Sequence, residues 1–138
     1  MAGRASLDGP KVYNTLELEG PLLDLAVANA NGIKAVLHLI DNPIGPFYEC
    51  SVLNEDGRLH YQYIPSRLWT QGGSIIEDNK IDISAPDEYD DDQRWFAGCW
   101  RGVSAAGARM LSQARGETPL LAAMRSFVLH RTGLQVTL

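Results

Sequence analysis

The stretch from Thr118 to Gly133 carries the full punctuation of a helix. A threonine hydroxyl before the first turn can accept from a backbone N–H that has no partner inside the helix. Pro119 suits the first helical position, where a missing N–H costs nothing. Gly133 can take the backbone shape that ends a helix. Between them Leu120, Leu121, Met124, Phe127, Val128 and Arg131 recur at helical spacing. Such a helix must bury its apolar side against something, and Phe47–Ile64 offers a sheet. Phe47 to Leu53 is rich in strand formers, and Asn54-Glu55-Asp56-Gly57 is a turn. Arg58 to Ile64 returns with Leu59, Tyr61 and Tyr63 alternating. Helix plus hairpin means mixed α and β.

The remaining segments fit the same class. Leu16 and Leu18 mark a short strand or extended lead-in. Gly20-Pro21 starts a helix over about 21–31, with Leu23 and Val27 on its core face and Gly32 stopping it. Ile33 to Ile40 can be a buried strand or a helix; its length and the flanking Gly32 and Asp41-Asn42-Pro43 favour strand. Ser66 to Ile76 is expected to be loop passing into a short helical turn, and Lys80 to Ser84 a short strand. Arg94 to Trp100 suits an edge strand, and Ser104 to Arg115 is either loop or weak helix. Leu134 to Leu138 is a short alternating strand. The expected fold is α+β. It has a small, mainly antiparallel sheet with a hairpin at about 47–64, and helices at about 21–31 and 118–132 packed on one face. Residues 1–10 are expected to be a disordered tail and 11–138 a single domain. The acidic run at 87–93 is expected to be a mobile loop.

At 138 residues, with 45% hydrophobic and 21% charged content, the chain has ordinary globular composition. No apolar run approaches the ~20 residues of a membrane helix. No signal-like stretch opens the chain, so a cytoplasmic location and no membrane contact are expected. Cys50 and Cys99 are too few for a disulfide framework and lack metal spacing; buried thiols are expected. Charge is uneven within a net of −5. Five acids lie between Asp87 and Asp92, whereas everything after Gln93 carries six Arg against Glu117 alone. That basic third suits an acidic partner or phosphates, and it suits pairing with the acidic parts of the same chain equally well. Internal pairing is the simpler expectation, and nucleic acid is not favoured. The acidic run lacks the glycine of a calcium loop. His38, His60 and His130 belong to no metal or triad motif, so no catalytic residue, metal or cofactor is assigned.

Two segments combine groups that could form a site. In Trp69-Thr70-Gln71-Gly72-Gly73 the glycines allow close approach, Gln71 offers donor and acceptor, and Trp69 a stacking face. Read blandly, this is a tight turn with Trp69 as a core plug. In Gly116 to Arg125 the free N–H groups of a helix start, with Thr118, suit an anion. Read blandly, this is a capped core helix whose Arg125 pairs with Glu77 or Glu117. The candidate ligand-binding set is therefore Trp69, Gln71, Gly72, Gly73, Glu77, Thr118 and Arg125. If it forms a site, Gln71 to Gly73 lies against the first turns of the last helix.

These segments also carry a resemblance. Trp69-x-Gln71-Gly72-Gly73-x-Ile75-Ile76-Glu77 is similar to the Trp-x-Gln-Gly-Gly-Pro-Ile-Ile-Glu of the NinX-like proteins of tailed phages and prophages, with Ser74 in place of the proline. Gly116-x-Thr118-Pro119-Leu120-x-Ala122-Ala123-Met124-Arg125 resembles that family's Gly-x-Thr-Pro-Leu-x-Ala-Ala-Met-Arg. The first helix, Leu23-Asp24-Leu25-Ala26-Val27-Ala28, looks like its opening segment, in which many members have tryptophan at the position of Leu25. The resemblance implies a phage or prophage origin and brings no mechanism. Two functions stay open. One is a non-enzymatic accessory protein that binds a host or phage macromolecule, with homo-oligomerisation compatible. The other is a protein or enzyme that takes a nucleotide or another small anionic ligand at the two motifs.

Overall fold

A computed structural model describes residues 9–103, 105–107 and 109–138. Among the described residues, eight strands and three helices run in the order β1 (Val12–Asn14), a 3-10 turn (Thr15–Glu17), α1 (Gly20–Ala30), β2 (Ala35–Ile40), β3 (Phe47–Leu53) and β4 (Leu59–Gln62). Then come α2 (Trp69–Asn79), β5 (Asp82–Ser84), β6 (Trp95–Val103), β7 (Arg109–Gly116), α3 (Pro119–Thr132) and β8 (Gln135–Thr137). Every strand pairing is antiparallel. The fold is α+β, as expected, but the strands divide into three small sheets rather than one: β1–β8, β2–β3–β4 and β5–β6–β7. The helices expected at 21–31 and 118–132 are both present. α1 covers the second sheet, α3 covers the third, and the two helices pack on each other. The expected tail at 1–10 lies outside the described residues apart from Gly9 and Pro10.

The hairpin forms where its sequence placed it. Asn54 organises the turn: its side-chain oxygen accepts from Asp56 and Arg58 N–H at 3.0 and 2.9 Å. Gly57 there takes a φ of +77°. α1 buries Leu23 and Val27. α3 is more completely enclosed: every residue from Ala122 to Val128 is buried, so it runs through the core as an axle. Thr118 Oγ1 accepts from Leu121 N–H at 3.1 Å, and Gly133 closes the helix.

Three expectations are corrected. β6 is the central strand of its sheet, not an edge, with Ala97, Gly98 and Cys99 all buried. The stretch expected as loop or weak helix is β7. Its inward residues, Ser112 and Ala114, are small because α3 comes close. Ser126 Oγ donates to the Ser112 carbonyl at 2.5 Å. A Cβ on Gly116 would lie 2.7 Å from Ala122 N. Small buried residues hide the apolar alternation by which a strand is recognised. Finally, Trp69 to Asn79 is a full helix rather than a loop passing into a short helical turn, because packing overrides the poor helix propensity of two glycines.

The acidic run folds on itself as exposed turns. Gln93 Nε2 donates to the Asp87 and Asp90 carbonyls at 2.9 and 2.7 Å. Arg94 holds Asp92 through both carboxylate oxygens, at 3.0 and 2.9 Å, and Arg115 lies 3.6 Å away. The Arg94 hydrogen bonds pull the Asp92 carboxyl down to about 2. Part of the basic third is thus paired within the chain. Among the described residues, no helix is long and apolar enough to cross a membrane.

Candidate functional site

The three family-like segments converge on one turn, residues 64–68, between β4 and α2. From α1, Asp24 is fully buried and its Oδ1 accepts from Ser66 N–H at 2.9 Å. Burial raises the carboxyl above its ordinary range, and the neighbouring Ser66 and Arg67 oppose that rise. Among the described residues, its Oδ2 and the Ser66 hydroxyl have no hydrogen-bond partner. From α2, Gln71 grips the strand leading into the turn: its Oε1 accepts from Ile64 N–H at 2.6 Å and its Nε2 donates to the Gln62 carbonyl at 2.9 Å. Gly72 lies against the turn itself. A Cβ there would collide with the Pro65 carbonyl oxygen and stand 2.6 Å from Leu120 Cδ2. Leu120 comes from the start of α3, so Gly72 is the point where the two motifs meet.

Arg125 sits elsewhere. Only 7% exposed, it donates from Nε to the Leu18 carbonyl and from Nη1 to the Arg115 carbonyl, each at 2.8 Å. It therefore clamps the lead-in to α1 against the end of β7. The expected pairing with Glu77 is replaced by these two carbonyls, because Glu77 lies exposed on the last turn of α2. Burial lowers the Arg125 pKa, and the nearby Glu19 opposes that shift. Gly73 has room: a Cβ would meet only Trp69 Cε3, at 3.8 Å.

Where the motifs meet, Ser66, Arg67, Trp69, Thr118, Pro119 and Leu120 line a cleft of about 190 Å³. Trp69 is no core plug; it is 55% exposed. Of the seven candidate residues, Trp69, Gln71, Gly72 and Thr118 gather around this turn and cleft, with Gly73 next to them beneath the indole. Glu77 and Arg125 stand apart. Asp24, Ser66 and Arg67 were not singled out in the sequence. Asp24 had one visible signal, an acid beside Leu23 on the core side of an apolar helix. Ser66 and Arg67 had none, since their place depends on a turn formed by distant segments.

Larger hollows lie away from this cleft. One of about 430 Å³ sits between β1, α1 and β2, and includes Lys11, Tyr13, Leu22 and Leu25. Another of about 610 Å³ lies over the end of α1 and β8. Both thiols are free and buried, and burial pushes Cys50 up to about 12 and raises Cys99 as well. Thiols held protonated in this way are poor nucleophiles at neutral pH. His38 Nε2 and Ser51 Oγ lie 2.8 Å apart, but the serine is buried in the sheet. The described residues hold no group of three or more His, Cys, Asp or Glu side chains arranged to take a metal.

No curated protein matches the chain. A family model described as bacteriophage P22 NinX matches residues 14–131. That span contains α1, the Trp69–Glu77 helix and the Gly116–Arg125 segment in the order expected, and the chain belongs to this NinX family of phage proteins.

Proposed function

We propose that this phage protein is a non-enzymatic accessory protein that binds a macromolecule inside the bacterial host cell, with Trp69 at the contact surface. The observation that carries the reading is the contrast within one motif. Gln71 and Gly72 are taken up by the fold, whereas the Trp69 ring stands 55% exposed between Arg67 and the start of α3. The exposed part of the ring contributes no burial energy, and tryptophan beside arginine is the usual anchor chemistry of interfaces. A cleft of about 190 Å³ falls below the ~300–1,000 Å³ of small-molecule pockets, which weighs against a nucleotide held there.

The test pairs thermal melting with capture from host lysate, using wild type and Trp69→Ala. The expected outcome is a melting temperature within a few degrees of wild type, on the order of a surface substitution, together with loss of the captured protein. Unchanged capture by the variant sinks the reading. A rise in melting temperature with a nucleotide, abolished by Trp69→Ala, would instead establish a small-ligand site.

A further inference from the structure

β2 is an outer strand. β3 pairs with one of its edges and, among the described residues, no strand pairs with the other. One contact fixes the hydrogen-bond phase along it. Leu53 N–H donates to the Lys34 carbonyl at 2.9 Å, so these two residues form a hydrogen-bonded pair. The register then runs without a shift from Ala35 opposite Val52 to Ile40 opposite Phe47. Antiparallel alternation turns the peptide groups of Val36, His38 and Ile40 towards β3, and those of Ala35, Leu37 and Leu39 away from it. The β3 side agrees: the Cys50 carbonyl, opposite Leu37, points away from β2 and accepts from Tyr63 N–H at 2.8 Å.

The first of these outward groups do not face open solvent. Ala35 and Leu37 line the hollow of about 430 Å³ between β1, α1 and β2. Leu37 is only 4% exposed, and Ala35 is half-buried. A peptide group in such a place costs free energy unless something bonds it. The Ala35 carbonyl and the Leu37 N–H flank Val36 and face the same way, an acceptor and a donor that one neighbouring donor–acceptor pair can satisfy together. Tyr13 from β1, and Leu22 and Leu25 from one face of α1, add half-buried walls that are largely apolar. Lys11, the one charged side chain on the walls, is exposed, so the interior suits a neutral ring. The volume lies within the ~300–1,000 Å³ of small-molecule pockets. Leu39, the next outward residue, is not on the walls, which leaves too short an edge inside the hollow for an added strand.

The geometry points to this hollow as a binding site for a small, neutral, planar ligand with an amide edge, such as lactams and several nucleobases carry. The Leu37 N–H donates to the ligand's carbonyl, the Ala35 carbonyl accepts from its N–H, and its ring lies between Tyr13 and the Leu22–Leu25 face of α1. The site is separate from the Trp69 surface and does not depend on it.

Amide hydrogen exchange and titration calorimetry with carbostyril, a bicyclic lactam, test the inference. In the free protein the Leu37 amide should exchange faster than those of Val36 and His38, and the lactam should slow it. One lactam should bind per chain. Its N-methyl analogue should bind at least about tenfold more weakly, because the Ala35 carbonyl then has no donor. Leu25→Trp should fill the hollow and abolish binding while the protein still melts cooperatively. Should that variant fail to fold, the N-methyl comparison carries the test with the protein unchanged. No binding at millimolar lactam, equal binding of the N-methyl analogue, or binding that survives Leu25→Trp in a folded protein overturns the inference. So does a Leu37 amide as protected as that of His38 in the free protein, which would show that this edge already has its partner.

Discussion

α2 and α3 each carry one of the two segments most like the NinX family, yet they are used in opposite ways. α3 is enclosed from Ala122 to Val128, and even Arg125 within that stretch is spent on backbone carbonyls. α2 fully buries only Gly72 and Ile75, and the rest of it is exposed or half-buried. The last helix is recognisable because a core dictates nearly every residue. The central one is recognisable because a single turn needs a glutamine and a glycine at fixed places, and the tryptophan beside them is left over. Strong family likeness therefore has two physical sources in one molecule, and only the second leaves anything outside for a partner to touch.

Substitutions can break that contrast. The largest effect is expected at the axle: Phe127→Ala should cost about 3–5 kcal/mol in urea unfolding, since Phe127 is fully buried. A loss below about 1 kcal/mol would show that α3 is not the centre of the core. Gly72→Ala should cost about 3 kcal/mol, near the upper end for an inserted methyl, because the obstacle is the Pro65 carbonyl rather than a flexible side chain. Thr118→Ala removes the cap on Leu121 N–H and should cost about 1 kcal/mol. The neighbouring Gly73→Ala should leave stability unchanged or raise it by up to about 1 kcal/mol, because the site has room and alanine favours a helix. If both glycine variants behave alike, the close approach at Gly72 is not what the motif encodes.

Local signals carried much of the fold in the sequence. α1, the hairpin and α3 each begin and end on residues with a backbone reason, Pro21 and Gly32, Asn54 and Gly57, Thr118 and Gly133. β7 was illegible because its inward positions, Ser112 and Ala114, are set by the closeness of α3 and not by hydrophobicity. α2 was misread because Gly72-Gly73 argues against a helix until Pro65 and Leu120 are known to press on it. The meeting of the two motifs followed from their chemistry, but the partner of Arg125 did not. A guanidinium satisfied by two carbonyls leaves no complementary charge to search for. Asp24 and Ser66 needed the fold itself, forty-two positions apart along the chain.

The pairing of β1 with β8 carries a consequence for how the protein is made. Val12 lies opposite Thr137 and Asn14 opposite Gln135, and the Thr15 hydroxyl donates to the Gly133 carbonyl at 2.6 Å. β1 therefore has no mate until β8 has been synthesised, whereas the hairpin can assemble earlier. A chain lacking β8 would leave β1 unmatched and Val136 missing from the core, a substrate for proteases rather than a shortened working protein.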